Sequence, residues 1–300
     1  MKIISGNSNI PLAKAVCAHL NVPLTDASIT YYSDNEIFIN IKEDIKGHDV
    51  IIIQSLSSPV NDHLMELILL VDALKRSSAR HITAIIPYLA YSRQDRKTMN
   101  MQTAIGAKVV ADMLTGLAID HIITFDLHSL QIQGFFSKPI QNLSMASLFY
   151  EDFANHPYQR DSLAIVSPDI GGTDRARNFS NKIGGELIII DKKRDQNHMN
   201  ASHVNRVIGD VHHKNCIIID DIVDSANTIC NAAEALKNAG AQSIIAYIMH
   251  GIFGKNARER ITNSPIESLI ISNTIHNKES HPKIRVLDIS SLLANIIKSV

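Results

Sequence analysis

The sequence predicts an α/β fold of two similar domains, each with a mainly parallel sheet flanked by helices. Short apolar runs rich in β-branched residues, such as Cys216–Ile219, lead directly into helical patterns, which is typical of buried parallel strands followed by helices. Residues 50–86 repeat the strand, helix and strand pattern of residues 216–248. We therefore predict an internal duplication, with one domain at residues 1–142 and the other at residues 143–300.

The composition excludes several classes of protein. A chain of 300 residues, 45% hydrophobic and 20% charged, is expected to form ordinary globular cores in about two domains. A net charge of −1 gives no basic field for general nucleic-acid binding, and the three cysteines have no metal-ligand spacing. The N-terminus lacks a signal-peptide pattern, and no apolar run approaches the ~20 residues that span a bilayer. We expect a cytoplasmic protein with no membrane or nucleic-acid partner.

Apolar periodicity and turn residues define the elements of the first domain. Pro11 suits the first turn of a helix, and alternating isoleucines after the polar turn Ser33–Glu36 indicate a β-hairpin. The predicted strands are Lys2–Ser5, a strand from Ile29, Ile37–Ile41, Val50–Gln54, Ile82–Ile86 and a strand from His121 to Asp126, and the predicted helices are Pro11–Leu20 and Val60–Lys75.

The second domain continues the alternation of strands and helices. The predicted strands are Leu163–Val166, Glu186–Ile190, Ser202–Ile208, Cys216–Ile219, Ser268–Ile271 and Ile284–Leu287, and the predicted helices are Leu143–Phe153, Ile229–Asn238 and Ser290–Lys298. The charged segment 191–200 is predicted to be a loop, and charge runs in loops are mostly solvated.

An acid pair and a polar turn follow the strand Cys216–Ile219. Backbone N–H groups at a helix N-terminus form an anion site, but carboxylates repel phosphate. Asp220 and Asp221 therefore fit a ligand with two ends, a phosphate held by the turn 224–228 and sugar hydroxyls or a metal held by the acids. A ribose 5-phosphate has this layout. The alternative is a helix N-cap with acids favoured by the helix dipole.

Three further polar segments each allow a structural and a functional interpretation. Asp34 and Glu36 fit ordinary turn chemistry. Arg93 and Lys97 belong to a basic cluster that fits a solvated surface. His128, at a strand end, fits a structural histidine.

Several segments in chain order resemble the ribose-phosphate pyrophosphokinase family, also called phosphoribosyl pyrophosphate synthetases. The turn at 220–228 looks like the ribose-phosphate loop of the type I phosphoribosyltransferase fold. Residues 126–136 follow the family pattern D-L-H-x-x-Q-I-Q-G-F-F, residues 167–176 follow S-P-D-x-G-G-x-x-R-A, and residues 190–194 resemble I-D-K-R-R. The resemblance implies two duplicated type I phosphoribosyltransferase-like domains, with the ribose site and the catalytic loop in the second.

The resemblance also implies which residues bind ATP. The turn at 32–36 is similar to the family's F-S-D-G-E hairpin, which reaches the adenine of ATP across a subunit contact, and Asn35 stands where the family has glycine. The basic segment 93–97 is similar to a loop that faces ATP, where an arginine can stack on a base and bind phosphate oxygens. The implied ATP-binding residues are Tyr32, Asp34, Asn35, Glu36, Arg93, Gln94, Asp95 and Lys97.

The remaining implied roles concern magnesium, catalysis and the sugar phosphate. His128 and Asp169 would hold the Mg²⁺ of MgATP, with substrate phosphates supplying much of its shell. Lys192 and Arg194 would be catalytic cations on a mobile loop that closes over the reacting phosphates. The implied ribose 5-phosphate ligands are Arg194, Asp220, Asp221, Asp224, Ser225, Ala226, Asn227 and Thr228.

The implied activity is transfer of the β,γ-diphosphoryl group of ATP to O1 of ribose 5-phosphate, which gives phosphoribosyl pyrophosphate and AMP. The family's shared ATP site implies a homo-oligomer, at least a dimer and often a hexamer. A phosphoribosyltransferase would share the turn at 220–228 but needs neither the duplicated first half nor the basic loop. A non-catalytic regulator would lose cations or metal ligands that this chain retains. Residues 99–108 depart from the family's S-R-E-P-I-T-A-K, so we do not carry over the phosphate and ADP regulation associated with that segment.

Overall fold

The computed structural model divides the chain into two compact units of α/β structure. The described residues are 1–98, 101–154, 162–194 and 202–299, with the backbone alone at 192–194 and 202–205. Unit 1 comprises Met1–Ser144, Thr274–His276 and Asp288–Val300, and unit 2 comprises Met145–Asn273 and Asn277–Leu287. The division drawn from the sequence lies between residues 142 and 143, whereas the compact units divide after Ser144 and the closing helix is grouped with unit 1.

Strands and helices alternate along both units. The strands are β1 (Lys2–Ser5), β2 (Ala27–Tyr31), β3 (Ile37–Ile41), β4 (Asp49–Ile53), β5 (His81–Ile86), β6 (His121–Phe125), β7 (Ile140–Leu143), β8 (Leu163–Ser167), β9 (Glu186–Arg194), β10 (Ser202–Ile208), β11 (Asn215–Val223), β12 (Ser243–Gly251), β13 (Ser268–Ser272) and β14 (Ile284–Leu287). The α-helices are α1 (Ile10–Leu20), α2 (Val60–Arg76), α3 (Gly106–Gly116), α4 (Ala146–Phe153), α5 (Thr173–Ile183), α6 (Asn227–Asn238), α7 (Ala257–Asn263) and α8 (Ser290–Ser299).

Unit 1 is built on a parallel five-stranded sheet in the order β1-β4-β5-β6-β7. The isoleucines of β4 are buried on both faces, as expected for a central parallel strand. Strands β2 and β3 form a separate antiparallel hairpin. A 3₁₀ turn at Asn7–Asn9 joins β1 to α1. The hairpin is therefore separate from the five-stranded sheet, and its strand β3 lies against α2.

Unit 2 contains a seven-stranded sheet in the order β10-β9-β8-β11-β12-β13-β14. All neighbours are parallel except β10, which pairs antiparallel with β9. Helix α6 presents Ile229, Ala232, Ala233 and Leu236 to the core, and all four are buried. The α/β class with mainly parallel sheets, predicted from the sequence, is confirmed.

Several predicted boundaries were wrong for reasons that involve distant residues. Strand β9 continues to Arg194 because β10 pairs with it, so residues 191–194 are strand and not loop. Strand β11 continues to Val223 and therefore includes both acids of the predicted turn. The helix predicted from Leu143 begins at Ala146, since residues 140–143 form an edge strand on β6. The sequence analysis assigned no element to α3 or α7.

Within the described ranges, no helix combines the length and apolar character needed to cross a bilayer.

Candidate active site

The carboxyl ends of three neighbouring strands meet at one edge of the unit 2 sheet. Strand β8 pairs in parallel with β9 and with β11, in the registers Ser167–Ile189 and Val166–Ile218. Parallel strands end at the same side of a sheet, so the segment after β8, the acids of β11 and the far half of β9 share this edge. Arg194 lies five residues beyond Ile189, or roughly 17 Å further along an extended strand.

Two carboxylates near the end of β11 form a buried pair. Asp220 is 9% exposed and Asp221 is 4% exposed. The Asp221 amide donates to Asp220 Oδ1 over 2.9 Å. Burial raises the pKa of Asp220 well above its usual value, and the negative charges of Asp221 and Asp169 act in the same direction. Asp169 is therefore near enough for its charge to affect the pKa of Asp220.

Arg175, on α5, is the cation that offsets this negative charge. Its Nη1 atom lies 3.3 Å from Asp220 Oδ1 and 3.3 Å from Asp221 Oδ1. One arginine against two carboxylates, with Asp169 nearby, leaves the cluster with excess negative charge. Hydroxyl donors or a cation on a ligand would be favoured here, whereas an isolated anion would be repelled.

The turn between β11 and α6 is held by hydrogen bonds that its backbone carbonyl groups accept. The Gly254 amide donates to the Asp224 carbonyl over 3.1 Å, and Arg260 Nη1 donates to the Ser225 carbonyl over 2.8 Å. Ala226 has a left-handed conformation with φ +62° and stands immediately before α6. Asn227 and Thr228 are the first residues of that helix. A turn held in this way places its last residues at a helix N-terminus, where backbone N–H groups favour an anion.

Gly254 lies close against the side chain of Asp224. A Cβ atom added to Gly254 would lie 2.7 Å from Asp224 Oδ1, closer than side chains pack. A larger residue at this position would therefore displace the Asp224 carboxylate.

The segment after β8 also folds tightly around its own carboxylate. Gly172 N donates to Asp169 Oδ1 over 3.0 Å, and Ser167 Oγ donates to the Asp169 carbonyl over 2.6 Å. A Cβ atom at Gly171 or Gly172 would lie within about 3.3 Å of Asp169 Oδ1 or Ser167 Oγ. The glycines let this turn close at the start of α5, and Asp169 stays at the same sheet edge as the acid pair.

Lys192 and Arg194 lie on the backbone of β9, opposite Val204 and Ser202 of β10. The structure thus corrects their predicted position in a loop: they belong to the strand half that extends past Ser167. The rest of the predicted loop, residues 195–200, lies outside the described residues.

The predicted ATP-binding residues lie in two segments of unit 1. In the hairpin, Asn35 has φ +70°, its amide donates to the Tyr32 carbonyl over 3.0 Å, and Glu36 N donates to Asp34 Oδ1 over 3.1 Å. Asparagine tolerates this left-handed backbone conformation better than most residues do, so the turn forms with Asn35 in place of the family's glycine. Tyr32 is exposed and packs edge-on against Phe38.

The second segment follows β5. Arg93, Gln94 and Lys97 are exposed, and Asp95 is half-buried beside the guanidinium of Arg96. The carbonyl of Gln94 accepts a hydrogen bond from the Ala107 amide over 3.2 Å, which ties this segment to the start of α3.

His128 is exposed just beyond β6 in unit 1, whereas Asp169 belongs to unit 2. Among the residues that the structure describes, no group of three or more His, Cys, Asp or Glu side chains is arranged to hold a metal ion. A carboxylate such as Asp169 nevertheless suits Mg²⁺, which takes few protein ligands and completes its shell with water and substrate phosphates.

The matching turn of unit 1 is filled by side chains. Gln54 and Ser55 stand where unit 2 has its acid pair, and both are fully buried. Gln54 Nε2 donates to Glu66 Oε2 over 2.7 Å, and Gln54 Oε1 accepts from the Ser8 hydroxyl over 2.7 Å. The duplication has therefore kept the strand and helix in unit 1 but replaced the acids with a neutral internal network.

The sequence analysis missed three residues of the unit 2 site, which are Arg175, Gly254 and Arg260. Arg175 occupies the arginine of the quoted pattern S-P-D-x-G-G-x-x-R-A, and this was the signal that could have identified it. Gly254 and Arg260 reach the turn from about thirty residues away, so no local pattern indicates their contacts.

Comparisons with known proteins match the chain over both units. A model of the N-terminal domain of ribose phosphate pyrophosphokinase matches residues 1–117, and a phosphoribosyl synthetase-associated domain matches residues 193–300. Ribose-phosphate pyrophosphokinases from Agrobacterium fabrum and Granulibacter bethesdensis are each 47% identical, covering 99% and 100% of this chain and 96% of each relative. The crystal structure of phosphoribosylpyrophosphate synthetase from Mycobacterium smegmatis superposes with a TM-score of 0.92 at 34% identity, covering 99% of this chain and 97% of that one. The similarity thus extends through the whole duplicated architecture.

Proposed function

Because the chain belongs to the ribose-phosphate pyrophosphokinase family, we propose that it transfers the β,γ-diphosphoryl group of ATP to O1 of ribose 5-phosphate. The products are phosphoribosyl pyrophosphate and AMP. The observation that best supports this proposal is the acid pair of β11. Arg175 partly neutralises this pair, and the turn that leads into α6 follows it directly. A ligand with hydroxyls at one end and a phosphate at the other matches this distribution of charge.

The proposed ribose 5-phosphate site has two parts. Asp220 and Asp221 orient the ribose hydroxyls, either by accepting hydrogen bonds from them or by binding a magnesium ion that the hydroxyls also bind. Either contact offsets the excess negative charge of the cluster. The 5-phosphate binds the turn, where the helix N-terminus and hydroxyl groups provide donors. The residues assigned to the phosphate are Asp224, Ser225, Ala226, Asn227 and Thr228, with Arg194 as a further ligand.

The reaction is a displacement at the β phosphorus of ATP. O1 of the sugar forms a bond to this phosphorus, the bond to the oxygen shared with the α phosphorus breaks, AMP leaves with that oxygen, and the hydroxyl proton passes to water. Lys192 and Arg194 neutralise the charge on the transferring group. Positioning and electrostatic stabilisation dominate phosphoryl transfer, so two cations at this point are the main catalytic contribution of the protein.

The nucleotide is assigned to residues outside the ribose site. Arg93, Gln94, Asp95 and Lys97 bind ATP in one segment. A second segment contacts the adenosine of the ATP bound to a neighbouring subunit, and its residues are Tyr32, Asp34, Asn35 and Glu36. We therefore propose that the protein is a homo-oligomer, at least a dimer. Asp169 and His128 are assigned to the Mg²⁺ of MgATP, which neutralises phosphate charge when bound.

The proposal is tested by incubating the full chain with ATP, MgCl₂ and ribose 5-phosphate and separating the nucleotides by ion-exchange chromatography. Release of AMP in equal amount to phosphoribosyl pyrophosphate is expected. Release of ADP would identify an ordinary kinase, and no turnover would identify a non-catalytic member of the family. Omission of ribose 5-phosphate is the control for ATP hydrolysis.

A further inference from the structure

Glu66, in the middle of α2, is a buried carboxylate outside the proposed active site. It is 0% exposed. Its Oε2 atom accepts from the Asn7 amide over 3.0 Å and from Gln54 Nε2 over 2.7 Å. Its Oε1 atom accepts from Asn7 Nδ2 over 2.8 Å and from the Tyr31 hydroxyl over 2.9 Å. These four neutral donors hold the carboxylate in one orientation, because moving it would break several hydrogen bonds together.

Two of these donors belong to, or directly contact, the hairpin β2–β3. Tyr31 is the last residue of β2 and immediately precedes the turn. Asn7, which Glu66 binds through two hydrogen bonds, donates from Nδ2 to the carbonyl of Ile29 over 3.4 Å. Burial and the hydrogen bond to Glu66 raise the pKa of Tyr31, as expected for a phenol that donates to a carboxylate. Glu66 thus ties β2 to the body of unit 1 at two points.

The hairpin needs such ties to keep its direction. It is a two-stranded sheet that pairs with no strand of the five-stranded sheet, so its position depends on the packing of β3 against α2 and on hydrogen bonds to the rest of unit 1. At the end remote from the turn, Glu43 binds Lys2 and the Asp26 amide over 2.6 and 2.7 Å. At the turn end, the Tyr31 hydroxyl donates to Glu66 Oε1 from the residue that adjoins Tyr32.

We infer that Glu66 is a positioning residue for the nucleotide, and this inference rests on the proposed function. Through its hydrogen bond with the Tyr31 hydroxyl, Glu66 fixes the direction of the hairpin turn Tyr32–Glu36. Glu66 does not contact ATP in this arrangement. Loss of the tie lets the turn move, so the protein must reorder it when ATP binds. The cost falls on nucleotide affinity, while the ribose 5-phosphate site and the transfer step are unaffected.

The test compares steady-state kinetics of the full chain and of Tyr31→Phe. The ring is 45% exposed, and Phe retains its packing while removing only the hydroxyl. Tyr31→Phe should raise the KM for ATP by about tenfold, the factor expected for one hydrogen bond to a charged group. The kcat and the KM for ribose 5-phosphate should remain at wild-type values, and the Tm should fall by no more than a few degrees, because the folded state loses one hydrogen bond. Tyr150→Phe, which removes a hydroxyl from α4 of unit 2, is the matched control and should change none of these.

A double-mutant cycle identifies Glu66 as the partner. Glu66→Gln places an amide N–H against groups that donate, so it should raise the KM for ATP at least as much as Tyr31→Phe does. Adding Tyr31→Phe to Glu66→Gln should cause no further rise, since both substitutions break the same contact. If Glu66→Gln fails to fold, the single variant Tyr31→Phe decides the question.

A wild-type KM for ATP in Tyr31→Phe would overturn the inference, as would an equal rise in the KM for ribose 5-phosphate. These results leave the proposed function intact as long as the wild-type chain releases AMP. A wild-type chain that releases no AMP would overturn the proposed function, and the inference with it.

Discussion

The surroundings of Asp220 disfavour its ionised form. It is buried beside Asp221, and burial is the largest cause of its raised pKa. In the unfolded chain its pKa is near 3.8, so above that pH the folded state binds more protons than the unfolded state. The contribution of this group to the free energy of unfolding therefore falls as the pH rises from about 4 through its pKa in the folded protein. A ligand that supplies hydroxyl donors or a cation would restore that stability.

We predict that Asp220→Asn stabilises the free protein and inactivates it. The amide removes the buried charge, so the Tm at pH 7.5 should rise by about 2–4 °C, and the difference from wild type should shrink towards pH 4. The kcat/KM for ribose 5-phosphate should fall by about a hundredfold or more, because the carboxylate proposed to orient the substrate is lost. Thermal unfolding across pH and initial-rate kinetics measure the two effects.

Asp44→Asn is the matched control for this substitution. Asp44 is exposed, and its side-chain oxygen accepts from the Lys46 amide, as an asparagine oxygen also can. This variant should leave both Tm and kcat/KM unchanged. A lower Tm for Asp220→Asn than for wild type at pH 7.5 would contradict our view that the buried charge is destabilising.

A second prediction at this scale concerns Gly254. A methyl group there would meet Asp224 Oδ1 at 2.7 Å and push the carboxylate out of the turn. Gly254→Ala should raise the KM for ribose 5-phosphate on the order of tenfold, with a smaller effect on the KM for ATP. Gly116→Ala, where a Cβ atom meets nothing within 4 Å, is the control. Equal KM values for Gly254→Ala and wild type would show that Asp224 has no part in sugar-phosphate binding.

The sequence identified the acid pair at the residue scale, but not the groups that hold it in place. Two adjacent aspartates after an apolar run are visible to inspection. The cation beside them, Arg175, comes from a different helix, and the glycine that accommodates Asp224 is about thirty residues away. Such contacts depend on how strands β8, β11 and β12 are brought side by side, which no local pattern specifies.

Among the secondary-structure elements, strand β9 is longer than predicted, and the additional residues include the proposed catalytic cations. Its first half pairs with β8 inside the sheet, whereas its second half pairs only with β10. The polar residues 191–194 looked like a loop because they lack the apolar character of a buried strand. An antiparallel partner supplies their backbone hydrogen bonds instead, and the sequence gives no indication of that pairing. The consequence is that the proposed catalytic cations stand on a hairpin that extends from the sheet edge carrying the acids.

We predict that Lys192→Ala lowers kcat by about 10²–10³-fold, the usual cost of removing a charge-stabilising group from a transition state. Ribose 5-phosphate should still raise the Tm of this variant as it does for wild type, because the proposed sugar-phosphate ligands on β11 and α6 are intact. Single-turnover kinetics and thermal shift with ribose 5-phosphate provide the two measurements.

Lys182→Ala, on the exposed face of α5, is the control for loss of a lysine in unit 2. It should change neither kcat nor the thermal shift. Unaltered turnover in Lys192→Ala would remove this residue from the mechanism, and loss of the thermal shift would mean that its role is in binding the sugar phosphate.

At the scale of the whole molecule, the duplication seen in the sequence corresponds to two units, each with a mainly parallel sheet. The turns at equivalent positions in the two units differ in their side chains. Unit 2 keeps a charged turn, whereas unit 1 fills the equivalent place with Gln54, Ser55 and the carboxylate of Glu66. The sequence could predict this asymmetry, since the acids are absent from the first copy. It could not predict that Glu66 would hold the hairpin through Tyr31, because that contact joins residues from separate elements.

The central claim is that both outer phosphorus atoms of ATP move together to the sugar bound by unit 2. It is tested most directly by incubating the full chain with ribose 5-phosphate, MgCl₂ and ATP labelled at the β phosphorus, and then separating the products. We predict that the label appears in the sugar product and that the released AMP carries none. Label retained in a nucleoside diphosphate, with a singly phosphorylated O1 on the sugar, would contradict the account.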